Sequence, residues 1–120
     1  MLPVPIPRLA VFALLLLGLP AHAANLDARQ ALDKAIAVLL GVPYGRNETE
    51  VAKHIVASQL VKRGEKGWCG KANYTSWEFH VRVADAAPGE PGSPAAPLDG
   101  YIALNANSGE LSCATLPYLD

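Results

Sequence analysis

Charge, histidine, cysteine and long apolar runs are all scarce in this chain, and each scarcity removes a class of function. Only 18% of the 120 residues are charged, with 10 Lys plus Arg against 11 Asp plus Glu. No basic excess exists to neutralise phosphates, so a nucleic-acid partner is not expected. Only two of the 3 histidines, His54 and His80, lie beyond residue 23, too few for a zinc site built on several histidines, and no H-E-x-x-H, C-x-x-C or G-x-S-x-G string occurs. The longest apolar stretch, Leu9 to Leu17, is about half of the roughly 20 residues that a membrane-spanning helix needs. A membrane-embedded protein is therefore not expected either.

That stretch follows a single basic residue, Arg8, and leads into Gly18, Pro20 and the small-residue triplet Ala21-His22-Ala23. Together these are the parts of a secretory signal peptide spanning residues 1–23, cleaved near Ala23. No cysteine stands at the cleavage site to take a lipid anchor. Residues 24–120 then form one small domain carrying 9 basic and 11 acidic side chains, a net charge of 9 − 11 = −2. The expected location is periplasmic or secreted. In such an oxidising space Cys69 and Cys113 are read as a disulfide pair, whose loop closure contributes roughly 4 kcal/mol in the chain-entropy model.

From Asn25 to Leu40 the apolar residues Ala28, Ala31, Leu32, Ala35, Ile36, Leu39 and Leu40 recur at intervals of three and four, which predicts an amphipathic helix. Asn25 can cap its start, and Gly41 and Pro43 stop it. Asn47 and Glu50 stand in the relation of a capping box, and Val51, Ala52, Ile55, Val56, Gln59 and Leu60 mark one face of a second helix reaching Arg63. The period then changes to two. Trp77, Phe79, Val81 and Val83 alternate with Ser76, Glu78, His80 and Arg82, as in a strand with one buried and one wet face. A shorter strand is read between Trp68 and Tyr74. Two further strands, Tyr101 to Leu104 and Leu111 to Thr115, are joined by an Asn- and Gly-rich turn. Between residues 86 and 98, Pro88, Pro91, Pro94 and Pro97 recur at every third position and predict a stiff projecting loop. The expected architecture is α+β, with two N-terminal helices on one face of a three- to four-stranded antiparallel sheet.

The stretch W-E-F-H-V-R-V, followed by L-D-G-Y-I-A-L-N-A-N-S-G-E-L, resembles the PepSY domain family. Trp77 to Val83 matches its first strand, Asp99 to Leu104 its second, and Asn105 to Leu111 its turn, while A-L-D-K-A-I-A-V-L-L fits its helix. The chain departs from the pattern in the second helix, the proline-rich insertion and the cysteine pair, and it has Asn105 and Ser108 where Asp and Thr are usual. The resemblance implies a non-enzymatic extracytoplasmic module that binds a protein, as an inhibitor of a peptidase or another hydrolase. A small exported domain of this design also looks like the immunity proteins that neutralise toxins from rival bacteria. A structural envelope component is a third alternative.

No residue is assigned a catalytic, cofactor-binding or metal-binding role. The string Trp68-Cys69-Gly70-Lys71 resembles the start of a thioredoxin active site, yet Ala72 stands where its second cysteine would be. The candidate partner-binding residues are Glu78, His80 and Arg82 on the polar face of their strand, with Tyr101 sharing that face. His54 is read as a surface residue of the second helix.

Overall fold

The computed structural model describes residues 24–86 and 96–119. The expected signal peptide and the middle of the proline-rich segment lie outside the described residues. Among the described residues two helices precede the strands, α1 (Ala28–Leu39) and α2 (Glu48–His54). They are followed by β1 (Ile55–Val61), β2 (Lys66–Gly67), β3 (Gly70–Lys71), β4 (Ser76–Ala86), β5 (Ala96–Asn105) and β6 (Leu111–Ala114). The fold is α+β: β1-β4-β5-β6 form a four-stranded antiparallel sheet, and β2 and β3 form a separate hairpin.

Helix α1 forms where the apolar period requires it, but its cap is Asp27 rather than Asn25. Asp27 Oδ1 accepts from the Gln30 amide at 2.8 Å, and Gln30 Oε1 accepts from the Asp27 amide at 3.0 Å, a reciprocal capping box. Asn25 serves elsewhere, its Oδ1 accepting from Asn107 Nδ2 in the β5–β6 turn. Ala31, Ala35, Ile36 and Leu39 of α1 share one buried cluster with Phe79, Val81 and Val83 of β4 and with Ile102 and Leu104 of β5. These are the alternating residues of the strands and the residues of the apolar arc of α1.

The second helix is far shorter than expected. Asn47 caps it as read, its Oδ1 accepting from the Glu50 amide, while the Glu50 carboxylate takes the Arg46 amide instead of completing the box. The helix ends at His54, and Ile55 to Val61, expected to continue it, form strand β1 paired with β4. The apolar residues Ile55, Val56 and Leu60 fit a helical period and a strand alike. Pairing decides between them, because β1 satisfies the backbone of β4 along Ser76 to Val81 and its β-branched Ile55, Val56 and Val61 suit a pleated surface.

Strand β5 takes in the last three residues of the predicted proline loop, Ala96, Pro97 and Leu98. Pro97 is accommodated because it falls within the register irregularity between the Val83–Leu98 and Ala86–Ala96 pairs, and because β6 pairs with β5 only at Ile102 to Leu104.

The loop after α1 is tied to the other end of the chain. Tyr44 is 2% exposed, and its hydroxyl donates to the carbonyl of Pro117. Burial, with the neighbouring Tyr118 phenol adding to it, raises the Tyr44 pKa from 10.0 to about 12. An unfolded chain would lose this proton first, so the stabilisation is complete below pH 10 and is lost as the pH rises towards 12. In an ultraviolet titration one of the 4 tyrosines should therefore ionise late, and Tyr44→Phe should abolish that step.

Candidate functional site

The sheet face opposite the core is the one on which the polar candidates lie. Antiparallel register places side chains in rows across it: Gln59, Glu78, Ala103 and Cys113 in one row, Ala57, His80 and Tyr101 in the next, then Arg82 and Asp99. The β2–β3 hairpin lies over the first row. Its two-residue tip, Trp68-Cys69, sits between Gly67 and Gly70, and the Cys69–Cys113 disulfide fastens it to β6. The expected pairing of the cysteines is thus present.

Glu78 departs from the wet face expected of it. It is 1% exposed, because the hairpin tip closes over its carboxylate. Oε1 accepts from the Trp68 amide at 2.7 Å and from Gln59 Nε2 at 2.9 Å, and Oε2 accepts from the Cys69 amide at 3.3 Å. Two consecutive backbone N–H groups converge on one carboxylate, an arrangement suited to an anion. Glycine at position 67 allows this approach: a Cβ there would lie 2.4 Å from both Glu78 carboxylate oxygens. Gly67→Ala should destabilise the domain by about 2 kcal/mol through overpacking, measurable by chemical denaturation.

With Glu78 occupied in holding the hairpin, the accessible part of the face begins one row further on. Trp68 stacks on Tyr101, ring centroids 5.2 Å apart and planes 27° from parallel. His80 lies 4.8 Å from Tyr101 and 6.1 Å from Trp68. His80 Nε2 donates to Asp99 Oδ1 at 2.5 Å, which fixes the imidazole ring against the two aromatics. The backbone of Tyr101 is held by Thr115, whose Oγ1 accepts from the Tyr101 amide at 2.8 Å. Trp68 is 37% exposed, Tyr101 and His80 are half-buried, and Arg82 is exposed beyond them. The result is a rigid aromatic plate rimmed by charge.

The structure therefore brings His80 and Tyr101 together, leaves Arg82 at the rim and removes Glu78 from the surface. Sequence reasoning missed Trp68 and Asp99. The cysteines held the signal for Trp68: a bridge from Cys69 to Cys113 carries its neighbour onto the polar face beside Tyr101. His54 is not a free surface residue. Its Nδ1 donates to the Tyr44 carbonyl at 2.7 Å, and the side chain is half-buried.

Among the described residues no helix is long and apolar enough to cross a membrane. Comparison with protein-family models, curated proteins and solved structures finds no match to this chain.

Proposed function

We propose that this chain is a non-enzymatic extracytoplasmic domain that binds and inhibits a hydrolase, with the plate of Trp68, Tyr101 and His80 as its contact surface. The observation that carries this reading is the treatment of Trp68. Its backbone is clamped by the Glu78 carboxylate and the adjacent disulfide, yet its indole remains 37% exposed and outside the core cluster. A large aromatic side chain immobilised before contact loses little conformational entropy on binding, and tryptophan and tyrosine are frequent anchors of protein interfaces. Arg82 and Asp99 supply the polar rim that such an anchor requires. The leader-like segment at residues 1–23 and the disulfide support a location outside the cytoplasm. The PepSY-like strands and turn support inhibition of a peptidase.

The test is inhibition of a panel of secreted peptidases and other hydrolases, thermolysin-type metallopeptidases first, by the folded domain. Trp68→Ala should weaken inhibition by about 2 kcal/mol, roughly thirtyfold. Leu40→Ala, an exposed apolar residue at the end of α1, should leave it unchanged. Equal inhibition by wild type and Trp68→Ala would overturn the proposed surface.

A further inference from the structure

A second surface lies where β1 stops short. Strand β4 runs from Ser76 to Ala86, but β1 pairs with it only as far as the Ile55–Val81 pair, because the chain before Ile55 is wound into α2. Among the described residues, β4 has a sheet neighbour on its β5 side alone from Arg82 onward. An open groove of about 550 Å³ follows this unpaired edge, with Arg82, Val83 and Ala84 on one side and Val42, Arg46 and His54 among the residues on the other.

The groove contains backbone, apolar and cationic elements. Strand edges present alternate N–H and C=O groups that a further strand can satisfy. Val42 and Val56, which also lines the groove, are 62% and 52% exposed. Arg46 and Arg82 are exposed, and among the described residues neither guanidinium has a carboxylate oxygen within 4.0 Å. Among the described residues that line the groove, Glu50 is the acidic one, and its carboxylate already accepts from the Arg46 amide. His54 uses Nδ1 on the Tyr44 carbonyl, which leaves Nε2 outside that bond.

We infer that this groove binds an extended acidic peptide segment of a partner protein, which adds to the β4 edge as a short strand in line with β1. Its main chain pairs with Arg82 to Ala84, its acidic side chain is held by Arg46 and Arg82, and its apolar neighbours rest on Val42 and Val56. Strand addition supplies main-chain hydrogen bonds irrespective of sequence, so the two guanidinium groups provide the selectivity for a carboxylate. The inference goes beyond the aromatic plate, which lies across the hairpin side of the face and is not required for it.

The experiment uses the whole folded domain and three fluorescein-labelled heptapeptides: Thr-Val-Glu-Val-Asp-Val-Thr, the same peptide with Gln and Asn at the acidic positions, and the same with Lys at both. The acidic peptide should bind at least about tenfold more tightly than the neutral one, as expected for charge-assisted bonds, and the Lys peptide more weakly still. Arg46→Gln with Arg82→Gln should erase the preference while far-ultraviolet circular dichroism stays unchanged. Trp68→Ala should leave peptide binding intact, so failure here is distinguishable from failure of the inhibitory surface. Bound peptide should slow amide exchange at residues 82–84. Equal binding of the three peptides, no binding, protection elsewhere, or a groove occupied by a second copy of the chain in sedimentation would each overturn the inference.

Discussion

Replacing Glu78 with alanine is expected to lower the stability of the domain by about 3 kcal/mol, which corresponds to a fall in melting temperature of roughly 12 °C or more. The carboxylate takes three N–H donors, two of them backbone amides at the hairpin tip, and the residue is 1% exposed. Its removal leaves those donors without a partner beneath the hairpin, and such an unpaired group costs about 1–3 kcal/mol unless water reaches it. The effect belongs to the hairpin more than to the sheet. Amide exchange should therefore rise most at Trp68 and Cys69 and least in the β4–β5 pair. Chemical denaturation gives the magnitude, and a loss below about 1 kcal/mol would mean that the tip is held by something else.

Reducing the Cys69–Cys113 disulfide is the other change with a large expected effect. The bridge closes a loop with a sequence separation of 44, for which the chain-entropy relation gives roughly 4 kcal/mol. Thermal unfolding with and without reductant, repeated on Cys69→Ser with Cys113→Ser, should show a correspondingly large drop. The bridge and the Glu78 carboxylate restrain the same hairpin tip, so their losses should not add. Once the bridge is open, Glu78→Ala should cost clearly less than in the oxidised protein, a coupling that a double-mutant cycle measures directly. Strict additivity would show that the two restraints act on separate parts of the molecule.

Much of the scaffold was legible because its residues obey a single period. The apolar residues of α1 fit only a helix, and the Trp77 to Val83 alternation fits only a strand. The disulfide followed from the cysteine count and the expected oxidising compartment. What was not legible depended on pairing. Ile55 to Leu60 satisfies a period of 3.6 and an extended strand equally, and the choice rests with the distant partner β4. The β2–β3 hairpin is built from two-residue strands, too short to show a period. That hairpin covers part of the polar face, and so Glu78, which alternation places among wet residues, is buried while His80, Arg82 and Tyr101 stay within reach of solvent. Trp68 was hidden for the same reason: its position depends on a bridge that brings it beside Tyr101 across the sheet.

The rigid presentation of Trp68 is the premise on which the proposed binding surface rests, and amide exchange in the Glu78→Gln variant with the disulfide intact tests it most directly. Glutamine keeps the shape of the side chain but has one acceptor oxygen where two are used, so the Trp68 and Cys69 amides cannot both be held as before. Exchange at these two amides should accelerate by about tenfold or more, while the Val81 and Ile102 amides of the β4–β5 pair keep their protection. Unchanged protection at Trp68 and Cys69 would contradict the clamp, and with it the preformed aromatic plate.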